Sequence, residues 1–172
     1  MGSRITFAQR PIFPRTESAK KYTAEFIGTF ALVFAGTGAI VINETTGGAI
    51  THVGIALTFG LVVLAMIYTL GDISGAHLNP AVTLGFLVAR RFPALEVAPY
   101  ILSQCAGALM ASAIMRLLFS QNVRLGATIP AGAAGQSLVL EIILTAILMF
   151  VILGVSTGAA ERELPLVLLW AR

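Results

Sequence analysis

Residues 71–91 read GDISGAHLNPAVTLGFLVARR, an irregular opening followed by an apolar run that is too short for its surroundings. Gly71, Asp72, Ser74 and Gly75 favour irregular backbone. Asn79 is then a preferred N-cap, and Pro80 suits the first helical position, where its missing N–H would have had no partner. The spacing predicts a helix starting at Asn79–Pro80, within the apolar run Leu78–Ala89, and stopping at Arg90–Arg91. At ~1.5 Å per residue it reaches about 16 Å, roughly half of a bilayer's ~30 Å hydrocarbon core. Such a helix makes sense where the segment before it dips into the membrane and the helix carries the chain back out.

Composition makes the membrane the right solvent. The chain has 172 residues, 57% hydrophobic and 11% charged, well below the roughly one-quarter charged residues of soluble domains, and has room for one domain at most. Its single cysteine, Cys105, permits no internal disulfide. The net charge of +3 comes from basic residues at segment ends and not from a patch with interleaved aromatics, so a nucleic-acid partner is not expected.

Taken in order, 1–21 is a polar, basic, flexible tail with Pro11 and Pro14 and no signal-peptide core. Spans follow over Tyr22–Ile42, Ile50–Leu70, Ala98–Phe119 and Gln136–Gly154. The organisation is thus a tail (1–21), a first unit of two spans, half-helix and third span (22–119), a loop (120–135), and the start of a second unit (136–172). With four spans and a re-entrant helix, both tails and the Arg90–Arg91 turn share one side. That side carries nine basic residues against Arg124 alone on the other, so an integral multi-pass protein with a cytoplasmic N-terminus is expected.

AEFIGTFALVF from Ala24 and LEIILTAILMF from Leu140 match at an offset of 116, aligning Glu25 with Glu141, Thr29 with Thr145 and Phe34 with Phe150. The two spans start on opposite sides of the membrane, which makes this an inverted repeat. The same offset puts a second half-helix at position 195, beyond the chain, so a truncated second repeat is expected.

SGAHLNPAVT, with AEFIGTF upstream and RRFPALEVAPYILSQCAGA downstream, resembles the major intrinsic protein family of aquaporins and glycerol facilitators. ITHVGIALTFGLVVLAMIYTLG is most similar to its nodulin-type branch and bacterial relatives. The resemblance covers about Lys21 to Glu163. It implies an all-α, aquaporin-like inverted-repeat bundle of six membrane helices and two half-helices that meet at their NPA boxes, usually in homotetramers. Here four helices and one half-helix are expected, and PLVLLWAR does not look like the family's fifth helix.

At the expected site Asn79 offers an amide donor near mid-membrane, beside the positive end of a helix macrodipole of about half a charge. Such an end orients water and repels cations. The backbone of Gly75, Ala76 and His77 needs partners or an aqueous cavity. The resemblance makes those carbonyls one wall of a pore and adds Pro80 and Ala81 to the box. It places Phe59 in the aromatic–arginine filter, as in water-selective channels, in preference to lipid- or core-facing packing, and Val63 among the pore-lining apolar residues. Asp72 stands where the family commonly has His.

Glu25 and Glu141 are costly in lipid. Each is expected to be buried and to hold a re-entrant loop by accepting its N–H groups, in preference to relaying protons. His77 is expected to pack against a neighbour and His52 to sit at the interface. Neither has ligand spacing, so no metal, cofactor or catalytic residue is expected. The expected function is a passive channel for water or other small neutral solutes in the lipid bilayer. A glycerol- or metalloid-type facilitator is an alternative, as is a non-conducting N-terminal fragment of such a channel.

Overall fold

The computed structural model describes residues 15–156. Its elements are α1 (Arg15–Thr45), α2 (Thr51–Ser74), α3 (Pro80–Val88), α4 (Ala94–Leu118) and α5 (Ala134–Val155); no strand occurs among the described residues. The chain is therefore all-α. Helices α1, α2, α4 and α5 are each long and apolar enough to cross a membrane, whereas α3 has nine residues. The far tail residues and PLVLLWAR lie outside the described residues.

α1 begins at Arg15, inside the stretch expected to be a flexible tail. After Pro14 nothing interrupts a helix: Glu17 favours the positive end of the first turn, and Ala19, Lys20 and Lys21 are good helix formers. This first part of α1 is fastened where Tyr22 Oη donates to the buried Glu96 of α4 at 2.9 Å.

α1 is the spine of the bundle, packing along both α2 and α4, while α3 packs on α4 and α5. α1 and α4 approach closely where Gly107 leaves no room for a Cβ against the Phe26 backbone carbonyl. Tyr100, Ala111 and Met115 of α4 are buried. A small apolar cluster of Ala24, Leu70, Ala76 and Leu78, with Leu32 and Met66 packed against it, sits where the chain leaves α2.

Between α2 and α3 the chain turns back on itself. Gly75 caps α2 in the left-handed region at φ +87°, with its N–H on the Gly71 carbonyl at 2.8 Å. Ala76 (φ +46°) and Leu78 (φ +54°) are also left-handed, a conformation costing about 1–2 kcal/mol for each non-glycine residue. At the other end α3 closes in a Schellman motif. Arg90 is left-handed (φ +58°) and donates to the Leu87 carbonyl at 2.9 Å, and Arg91 N–H donates to Phe86 at 2.9 Å. The Arg91 side chain then reaches the Leu153 carbonyl at 2.9 Å in the last turn of α5, where a cation suits the negative helix end.

Candidate functional site

The re-entrant turn is held by one carboxylate. Glu25 is fully buried on α1, and each of its oxygens accepts twice. Oε1 takes the Ser74 hydroxyl at 2.6 Å and the His77 backbone N–H at 2.9 Å. Oε2 takes the Leu78 backbone N–H at 2.7 Å and Gln104 Nε2 at 2.8 Å. A charge in an apolar interior is tolerated only when so satisfied. Two of these four partners are backbone donors that an irregular segment would otherwise leave bare.

Four hydroxyls complete the hold. Thr29, one helical turn beyond Glu25, donates to the Leu78 carbonyl at 3.1 Å. Tyr100 donates to the Ser74 carbonyl at 2.8 Å. Ser74 Oγ accepts the Ala76 N–H at 3.1 Å. Thr83, fully buried in the first turn of α3, donates to the Asn79 carbonyl at 3.2 Å and accepts from Gln104 Nε2 at 3.0 Å. With that hydroxyl proton spent on Asn79, His77 Nδ1, 3.1 Å from Thr83 Oγ1, is the donor of its pair. The His77 ring is stacked on Phe86 at 4.6 Å and meets Phe92 edge-on at 4.7 Å.

Between these fastenings lies an open stretch. Ser74 and Leu78 have their carbonyls tied, but those of Gly75, Ala76 and His77 accept no hydrogen bond among the described residues. Asn79 follows as the N-cap of α3, in extended conformation (φ −154°, ψ 130°). Its Oδ1 accepts the Ala81 N–H at 2.8 Å, which leaves both Nδ2 protons unbonded on an exposed side chain. Pro80 occupies the first helical position, and Ala81 is exposed beside it. Three consecutive acceptors thus lead to a double donor at the positive end of a helix, an arrangement suited to passing a hydrogen-bonding neutral molecule from group to group.

Other expected site residues lie elsewhere. Phe59 is half-buried on α2 with its ring against α1 at Gly36, so close that no Cβ would fit there. Val63 is half-buried one turn on, and Asp72 is exposed with no partner among the described residues. Glu141 requires a correction: it is exposed on α5 and makes no hydrogen bond among the described residues. Glu25 is buried because the turn after α2 folds onto it; the residues at the matching offset of 116 from 74, 77 and 78 are numbered beyond 172.

Thr83, Tyr100 and Gln104 belong to the site without having been singled out from the sequence, and Ser74, read there only as a residue of irregular backbone, is the last residue of α2. Gln104 carried a signal, as a lone amide inside an apolar span. The hydroxyls carried none, because such residues are ordinary in membrane helices.

The family described as "Major intrinsic protein" matches residues 13–167. Aquaporin NIP1-3 of Oryza sativa subsp. japonica is 47% identical over 157 residues, covering 91% of this chain and 54% of the relative. Nodulin-26 of Glycine max is 46% identical over 139 residues, covering 80% and 51%. Among solved structures, the aquaglyceroporin from Plasmodium falciparum aligns with a TM-score of 0.55 and 31% identity, over 60% of this chain and 43% of that one. The chain spans about half the length of the curated relatives it matches. By the match along most of its length and the NPA turn at Asn79, this chain belongs to the major intrinsic protein family, whose aquaporins are channels and not enzymes.

Proposed function

We propose that the whole protein is a passive channel conducting water, and other small neutral solutes, while excluding protons and ions. The observation that carries this reading is the unbonded Nδ2 group of Asn79 next to three consecutive free carbonyls, at the N-terminus of a helix half a membrane long. A molecule that both donates and accepts hydrogen bonds finds partners along this stretch. A cation meets the positive end of α3 and an amide that offers it only protons.

In this reading Gly75, Ala76, His77, Asn79, Pro80 and Ala81 form one wall of the pore, with Phe59 and Val63 contributing from α2. Glu25 holds the wall in place. The N-terminus is cytoplasmic, as the charge distribution supports, and the whole protein assembles as a homotetramer in the bilayer.

The test is osmotic shrinkage of proteoliposomes carrying the whole protein, followed by stopped-flow light scattering. Shrinkage well above that of empty liposomes is expected, without proton leak. A rate equal to that of empty liposomes overturns the reading. The same assay on residues 1–172 alone checks the expectation that one half-helix closes no pore.

A further inference from the structure

Asn122, in the connection between α4 and α5, uses all of its polar groups. Its backbone N–H donates to the Phe119 carbonyl at 2.9 Å, and its own carbonyl accepts from Arg116 Nη1 at 3.0 Å. Oδ1 accepts the backbone N–H groups of Arg124 at 3.0 Å and Leu125 at 2.7 Å. Nδ2 donates to the exposed Glu44 Oε2 at 2.8 Å, near the end of α1. The Oδ1 bonds make a local turn; the Nδ2 bond joins that turn to a helix 78 residues earlier in the chain.

Gly126 fixes a second point. It is buried and left-handed at φ +74°, and a Cβ there would lie 2.7 Å from the Thr37 carbonyl oxygen and 2.9 Å from its Cα. The next residue back along α1 is Gly36, on which the Phe59 ring rests. One turn of α1 therefore seats Gly126 from the connection and Phe59 from α2. At Gly126 the obstructing atoms are chiefly α1 backbone, whereas at Gly36 they belong to the Phe59 ring, so a shift of the connection moves the helix turn on which that ring rests.

We propose that Asn122 is a positioning residue: through Glu44 it fixes the α4–α5 connection on the turn of α1 that seats Phe59, and so sets the solute preference that Phe59 gives the channel. The proposal rests on the channel reading above. It differs from a turn-forming role in a way that two substitutions separate. Asn122→Asp keeps an oxygen for the Arg124 and Leu125 N–H groups but sets a carboxylate against Glu44. Glu44→Ala leaves the turn untouched and removes the anchor.

Two readouts decide it in the whole protein, with Cys105 and every other native cysteine replaced by serine and Ile129→Cys placed in the exposed part of the connection. One is the rate of maleimide labelling at position 129 in detergent; the other is the ratio of water to glycerol permeability in liposomes. Asn122→Asp and Glu44→Ala are expected to speed labelling by about twofold to tenfold, the equilibrium factor of one lost hydrogen bond, and to shift the ratio in a common direction. Glu44→Gln, which keeps an acceptor, is expected to match the parent in both. Asn122→Asp behaving as the parent overturns the proposal, as does faster labelling with an unchanged ratio. A parent that passes neither solute overturns the channel reading itself, and the labelling rates then decide whether Asn122 holds the connection.

Discussion

Leu78 donates its backbone N–H to Glu25 Oε2 at 2.7 Å across 53 residues of chain, and one turn along α1 the Thr29 hydroxyl donates to the Leu78 carbonyl at 3.1 Å. Both sides of a single strained residue are thus held by one face of one helix. The left-handed conformations of Ala76 and Leu78 are maintained from outside the turn. Removing that support releases a loop whose own backbone preferences oppose its shape.

Glu25→Gln tests this directly. Glutamine keeps one acceptor oxygen and replaces the other with an amide donor, which would face either the Leu78 N–H and Gln104 Nε2 or the Ser74 hydroxyl and His77 N–H. At least two buried donors lose their acceptor, at about 1–3 kcal/mol each. We expect a clear fall in the thermal unfolding midpoint of the detergent-solubilised protein, with permeability lost in parallel. An unchanged midpoint would show that the carboxylate does not hold the turn.

Asn79→Asp separates the cap from the donor. Aspartate caps a helix as well as asparagine does and suits its positive end, so the Ala81 N–H keeps its acceptor and the unfolding midpoint should hold. The exposed Nδ2 group, however, becomes a carboxylate oxygen. Water permeability in proteoliposomes is expected to fall about tenfold, the factor corresponding to one interaction of ~1.4 kcal/mol. A stable Asn79→Asp protein with parental permeability and ion exclusion would remove Asn79 from the conduction path.

The start of α3 was legible because Asn–Pro is a local signal: capping and a fixed φ act within two residues. The long helices were legible from length and apolar composition, and Glu25 from the cost of an acid in lipid. Which side chains meet Glu25 was not, because Ser74 on α2 and Gln104 on α4 are brought to it only where those helices cross α1. Glu141 shows the limit of a repeat read as pattern. It matches Glu25 in sequence, yet it is exposed, since burial is a property of the segment that folds over a residue. Phe59 was readable as a position on a helix, whereas its seat on Gly36 depends on how closely α1 and α2 approach.

Thr83→Val removes a hydroxyl without changing side-chain shape. The buried Gln104 Nε2 loses an acceptor and His77 Nδ1 loses its partner, while the Asn79 carbonyl loses a donor at the start of α3. A destabilisation of about 2–3 kcal/mol is expected, with Thr83→Ser restoring most of it. Denaturant or thermal titration of the three proteins side by side checks it. Equal stability of the valine and serine variants would mean that the hydroxyl contributes only its bulk.

Gly107 and Gly71 make a matched pair for the packing of the bundle. Both lie inside long helices, so alanine should be favoured at either by about 1 kcal/mol on intrinsic helix preference alone. At Gly71 a Cβ meets nothing within 4 Å, and Gly71→Ala is expected to be neutral or slightly stabilising. At Gly107 the added carbon would overlap the Phe26 carbonyl oxygen and lie 3.1 Å from the Phe30 nitrogen. Those are backbone atoms, which cannot swing aside, so α1 and α4 must separate at this close approach. Overpacking of this kind costs about 1–3 kcal/mol, which outweighs the helix preference. Because Glu25 lies next to Phe26 on α1 and Gln104 lies one turn before Gly107 on α4, the separation also stretches the 2.8 Å bond between Gln104 and Glu25. Gly107→Ala should therefore lower both the unfolding midpoint and the permeability, while Gly71→Ala changes neither. If both glycines accept alanine equally, the close approach of α1 and α4 does not hold the re-entrant turn in place.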